Sequence, residues 1–250
     1  MRVARLGLGV AVAAACLTGC QGRWAGIRQE LGPAAEIGTA AMQNLGWDSQ
    51  AGKVRKVGFS AVVTTYDKNG KSYTDLQKMV VDLKKDTLTA VGRSPQGPWR
   101  ATAYDDGKFK LKAKRPVDKY EVTRRMAPTL ATLLHRLRGP YNLVGHHEHA
   151  RSAEAALIDG ARVVRVSVDG DNRKAVAYYF DAATGMLRFV TAGADRPGRK
   201  GTVTVYRYAA LPNGMAFPKL IKVARLGTHV LVGEEAIFQV EISGMRLDLN

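Results

Sequence analysis

Apolar and polar positions alternate along most of the chain. From Lys53 onward Val57, Phe59, Ala61 and Val63 are separated by small, polar or charged residues, a period of two that predicts a strand. Asp67-Lys68-Asn69-Gly70 predicts a hairpin, because Asn-Gly accepts the positive φ angles of tight β-turns. Met79, Val81 and Leu83 continue the alternation on the return strand. Turns at Lys85-Asp86, at 94–98 and at Asp105-Asp106-Gly107 then divide short strands carrying Leu88, Trp99 and the pair Phe109 and Leu111. After an interruption the pattern resumes at Val164, Val166 and Val168. It continues at Val176, Tyr178 and Phe180, at Leu187 and Phe189, at Val203 and Val205, at Phe217, Ile221 and Val223, and at Phe238, Val240 and Ile242. Turns at 169–172, 181–185 and 211–214 separate these segments.

Two segments have the helical period instead. Residues 33–45 place Pro33 in an opening turn and Ala34, Ile37, Ala41 and Leu45 on one face, with Gly46 just past the end and Trp47 as a packing anchor. Over 125–138, Leu130, Leu133, Leu134 and Leu137 recur at i, i+3, i+4 and i+7, and Gly139-Pro140 stops the helix. Residues 141–152 read as a loop, and 196–200 as an exposed basic hairpin tip. About eleven short strands joined by tight turns make a mainly β (α+β) chain with one antiparallel sheet. With two helices available to cover its apolar face, the sheet must curl around them, giving a half-barrel with helices on the concave side.

The N-terminus has another character. Arg2 and Arg5 precede an apolar run from Leu6 to Leu17 that is too short to span a bilayer, the layout of an export signal. Leu17-Thr18-Gly19-Cys20 resembles the lipobox of bacterial lipoproteins, in which the cysteine is acylated and becomes the new N-terminus. The expected organisation is a signal peptide at 1–19, a lipidated tether at 20–32 and a half-barrel domain at 33–250. Two or three acyl chains on Cys20 would hold the protein stably to a membrane, each buried methylene contributing about 0.8 kcal/mol. Gln21, rather than Asp, after the cysteine resembles the outer-membrane default of enteric-type sorting, so the expected location is the cell envelope, at the outer membrane facing the periplasm. Cys16 lies in the removed segment and Cys20 carries lipid, so no thiol remains for disulfides or metal ligation.

Removing 1–19 takes two arginines and no acids, leaving 36 basic against 22 acidic residues, a formal charge of +14. Such a bias favours anionic partners, above all lipid headgroups, and export argues against nucleic acid. A soluble surface in a basic proteome would carry the same bias.

The order of elements is similar to the lipoprotein-carrier fold of the LolA and LolB proteins, an unclosed antiparallel barrel of about eleven strands with helices on its concave side. The second half carries most of the resemblance, through the run from Ala177 to Leu187, through Tyr206-Arg207-Tyr208 and the run from Leu211 to Pro218, and through the closing stretch from Val240 to Asp248. It implies a monomeric, non-enzymatic protein with an apolar groove that takes acyl chains of lipoproteins or other lipids, and no cofactor. The lid would be Leu130, Leu133, Leu134 and Leu137. The groove would include Phe59, Val63, Met79, Val81, Trp99, Phe109, Tyr178, Phe180, Phe189, Val205, Phe217 and Phe238. A closed core would show the same alternation, because periodicity reports burial and not a void. Relatives of the fold also include sensors that bind a protein partner, so an envelope sensor or scaffold is the alternative. The hairpin tips here are polar, which departs from the apolar tip that LolB-like proteins insert.

Other chemistry has little support. His146, His147 and His149, with Glu148, have metal-ligand character, but adjacent residues on a short loop seldom converge on one ion and the helical His-Glu-x-x-His pattern is absent. No metal site and no catalytic residue is expected. Asp105-Asp106 and Glu234-Glu235 fall at turns, and neither a G-x-S-x-G elbow nor a cysteine nucleophile is present in the mature chain.

Overall fold

The computed structural model describes residues 54–94, 97–113, 116–137, 150–168, 176–193, 201–211, 214–226 and 235–249, and within 1–53 only Gln43, which is helical. The expected signal peptide, the tether with Cys20, most of the 33–45 helix and the 141–149 loop lie outside the described residues.

Among the described residues twelve strands form one antiparallel sheet. They are β1 (Val54–Tyr66), β2 (Ser72–Asp82), β3 (Thr87–Ser94), β4 (Gly97–Tyr104), β5 (Phe109–Ala113), β6 (Ala150–Ile158), β7 (Ala161–Val168), β8 (Val176–Asp181), β9 (Leu187–Ala192), β10 (Thr202–Ala210), β11 (Ala216–Arg225) and β12 (Ala236–Leu249). The helix α1 (Pro116–Leu137) joins β5 to β6 along the chain. The spatial order is β5-β4-β3-β2-β1-β12-β11-β10-β9-β8-β7-β6, so every pair of adjacent strands is consecutive in the chain except β1 and β12. That pair runs in register from Val54 and Leu249 to Thr65 and Phe238 and welds two meanders into one sheet. β5 and β6 remain unpaired edges, which leaves the sheet unclosed.

Aspartates head the tight turns. The Asp67 carboxylate accepts the Asn69 and Lys71 N–H groups at 2.8 and 2.9 Å, with Gly70 at φ 76°. Asp181 does the same for Ala183 and Thr184 at 3.0 and 2.9 Å, and also accepts the Thr184 hydroxyl. These local bonds fix the hairpins, and through them the register that decides which side chains face inward.

One face of the whole sheet and the inner face of α1 share a single apolar cluster. It includes Val57, Phe59, Ala61 and Val63 from β1, Phe180 from β8, Ile221 from β11 and Val240 from β12. α1 packs on β5, β4 and β3, where Ala90, Ala101 and Ala103 are fully buried. Such short side chains leave a shallow seat for the leucine ridge. At Gly92 the absence of a Cβ lets the Trp99 ring lie directly against the β3 backbone.

Three expectations are corrected. There are twelve strands rather than about eleven, because β6 begins at Ala150, inside the stretch read as a loop. α1 begins at Pro116 rather than near 125, and it continues through Pro128. Finally, Phe189 and Val205 are not on the concave face. They belong to a second cluster on the other side of the sheet, with Ile158, Val163, Ala177, Tyr179, Val203 and Ala224. A register shift between Tyr179 and Phe180 opposite β9 lets Leu187 and Val190 both face the concave side and turns Phe189 away, and Val205 follows as its cross-strand partner.

Candidate functional site

The site is the interface between α1 and the concave face. Leu130, Leu133 and Leu134 are wholly buried, and Met126 and Leu137 nearly so. The expected groove residues Phe59, Val63, Met79, Val81, Trp99, Tyr178, Phe180, Phe217 and Phe238 are buried in the same cluster, and Phe109 packs against it partly buried. Phe59 and Phe217 meet at 5.8 Å with their rings tilted by 51°. These residues are contributed by strands from both meanders, so the β1–β12 junction is what brings them together.

Among the described residues, polar contacts join the helix to β2, to β10 and to the β4–β5 turn. Gln77, buried on β2, donates its Nε2 hydrogen to the Met126 sulfur at 3.1 Å. The Tyr206 hydroxyl donates to the Arg136 carbonyl at 3.0 Å, tying the end of α1 to β10. His135 Nδ1 lies 3.5 Å from Asp105 at the β4–β5 turn, where both groups are half exposed. The buried leucine face adds apolar burial and dispersion, which are non-directional.

Several buried polar groups gather at the C-terminal end of the helix. Tyr178 and Tyr206 lie near Arg136, and the Tyr206 and Tyr208 rings stack at 6.0 Å. Burial raises all three phenols above the usual tyrosine range, against the opposing pull of Arg136 on Tyr178 and Tyr206, so they stay neutral donors at ordinary pH. Arg136 Nε, the Tyr208 hydroxyl and Gln77 Oε1 are shielded from solvent and have no hydrogen-bond partner among the described residues. Tyr208 is only partly buried as a residue, yet its hydroxyl oxygen is sealed. An orphaned buried polar atom costs about 1–3 kcal/mol.

Gln77, Met126 and Arg136 have no place in the reading of the sequence, and Tyr206 and Tyr208 enter it only through the family resemblance, not as site residues. Gln77 was legible in principle, since it shares the inward parity of Met79 and Val81. Cys20, His146, His147 and His149 lie outside the described residues. Among the described residues no group of three or more His, Cys, Asp or Glu side chains is placed to hold a metal ion.

No protein-family model matches the sequence, and no curated protein matches it either. Solved structures do. A Vibrio parahaemolyticus domain, provisionally assigned as an outer membrane lipoprotein-sorting protein domain, superposes with a TM-score of 0.51 over 86% of this chain and 92% of its own, at 12% identity. The chain shares the fold of that domain. At that identity the likeness is one of fold. A DUF1329 family protein from Desulfovibrio piger (12% identity, 86% and 93% of the two chains) and a LolA superfamily protein from Nitrosomonas europaea (9%, 83% and 93%) each superpose with a TM-score of 0.48.

Proposed function

We propose that this protein is a membrane-anchored carrier of the bacterial envelope that holds acyl chains of a lipoprotein or lipid between the leucine face of α1 and the concave sheet. One observation supports the reading most. An unclosed sheet carries on its concave side a helix whose leucine face is buried in the shared apolar cluster, with polar atoms that lack a partner among the described residues near Met126 and near the C-terminal end of the helix. An apolar interior with a small number of polar groups suits an amphiphile. Cys20 would supply the anchor, and the basic surface would meet anionic headgroups. The reading is non-enzymatic, with no cofactor, and the protein acts as a monomer.

The second reading, an envelope sensor or scaffold that binds a protein partner, draws on the complete burial of Leu130, Leu133 and Leu134, which leaves the resting interior filled by the protein's own side chains. Mass spectrometry of lipids extracted from the protein purified out of its native envelope separates the two. Carriage predicts acylated species in roughly stoichiometric amount, and their absence together with a captured protein partner would favour the scaffold.

A further inference from the structure

The two halves of the sheet differ on their outer face. Behind β6–β11 that face is an apolar cluster, whereas behind β1–β5 it is open to solvent. There the register aligns Ser60, Lys78, Val91, Arg100 and Lys112 in one row across five strands. The adjacent row holds Gly58, Val80, Thr89, Thr102 and Lys110, and the 3.1 Å contact between the Thr89 and Thr102 hydroxyls shows that they share a face. Arg93 stands beside Pro98, and Leu76 beside Val62. Lys78, Arg93, Arg100, Lys110 and Lys112 are all exposed and have no carboxylate partner among the described residues. Lys110 lies 5.4 Å from the Tyr104 ring at the margin. Leu76 is 72% exposed, and Val62, Val80 and Val91 are also open. The acids on this face lie at its margins: Asp82 of β2 stands 4.0 Å from Lys56 at one end of the rows, and Asp248 and Glu241 of β12 stand beside Lys56 and Val62.

We propose that this outer face of β1–β5 is the surface by which the protein lies on an anionic phospholipid membrane. Lysines on β5 have an ordinary explanation, since charge on an edge strand blocks strand addition. Lys78, Arg93 and Arg100 do not, because β2, β3 and β4 are paired on both sides. A protein partner is disfavoured by composition, because protein interfaces are enriched in aromatic residues and depleted of lysine at their centre. Aliphatic side chains interleaved with long cationic stems, over a span of roughly 14 Å from β2 to β5, suit headgroups instead. The inference rests on the membrane half of the reading above and is independent of acyl carriage.

The test uses the full chain with Cys20→Ser, so that acylation cannot hold it to lipid. Sedimentation with phosphatidylglycerol-containing vesicles is compared for the parent, for K78E/R93E/R100E, and for a charge-matched control, R162E/R207E/K219E, at exposed or largely exposed positions elsewhere. All three carry the same N-terminal segment, so its own affinity for lipid cancels. At about fivefold per cation, the first variant should lose roughly a hundredfold or more in binding, with the control within a few-fold of the parent. Equal loss in both variants, no loss in the first, or equal binding of the parent to neutral phosphatidylcholine vesicles would overturn the proposal. If K78E/R93E/R100E melts early, R100E/K110E/K112E takes its place with the same expectations. Acyl-probe uptake by the membrane-defective variant should stay normal, because the face lies on the other side of the sheet, so failure of docking and failure of carriage are read separately.

Discussion

Replacing Gly92 with alanine tests the packing under the lid with one methyl group. A Cβ built at Gly92 would lie 2.3 Å from Trp99 Cζ2, 2.6 Å from Cε2 and 3.1 Å from Cη2. Carbon atoms approach comfortably at roughly 3.5–4.0 Å, so the indole must move by more than about 1 Å. It has little freedom to do so, since Trp99 is buried in the concave cluster and pairs directly with Gly92 across β3 and β4. Overpacking of this kind costs about 1–3 kcal/mol. Relieved of the contact, alanine would stabilise a strand by roughly 0.5–1 kcal/mol over glycine, so the sign itself is diagnostic. For a domain of this size the expected fall in Tm is roughly 2–12 °C by circular dichroism. In a Trp99→Leu background the clash disappears, and Gly92→Ala should become neutral or stabilising, a coupling of about 1 kcal/mol or more. An unchanged or raised Tm for Gly92→Ala in the parent, or the same cost in both backgrounds, would refute the reasoning.

Tyr206→Phe removes the hydroxyl that ties the Arg136 carbonyl to β10, at a cost of about 0.5–1.5 kcal/mol, and hydrogen exchange should speed up in the last turns of α1 while the β1–β12 amides keep their protection. Phe180→Ala and Phe189→Ala should each destabilise by about 3–5 kcal/mol in chemical denaturation, but only Phe180, on the concave face, should alter acyl-probe binding. Burial raises Tyr206 in the folded chain, so its neutral form is favoured there. Stability is then fully present below the ordinary tyrosine value near 10 and is lost as pH rises toward the folded value, at about 1.4 kcal/mol per pH unit. Urea titrations above pH 10 should show a shallower decline for Tyr206→Phe than for the parent.

Alternation made most of the sheet legible, because strands such as β1 and β12 contrast apolar with small or polar side chains over much of their length. It failed at β6, whose inward position Ala153 and its neighbours Ala155 and Ala156 give almost no contrast, so a strand there looked like a loop. The leucine half of α1 was readable. Its first turns were not, since Pro116 to Arg125 lacks a sustained apolar stripe and Pro128 resembles a breaker. Parity placed Phe59, Met79 and Trp99 correctly on the concave side but misplaced Phe189 and Val205, because a bulge shifts the phase and leaves no mark in composition. The polar groups near the C-terminal end of the helix depend on the helix crossing to β10, which is a tertiary fact with no local signal.

The most direct measurement uses Trp99 as a reporter. With Trp24 and Trp47 replaced by phenylalanine, Trp99 is the sole tryptophan of the chain, and it lies in the concave cluster with the lid leucines. Dibrominated acyl chains quench a tryptophan they touch. The account predicts saturable quenching of Trp99 by a long-chain brominated acyl ligand and relief by its unbrominated counterpart. Emission that stays constant through the titration, in a chain that is folded by circular dichroism, would contradict it.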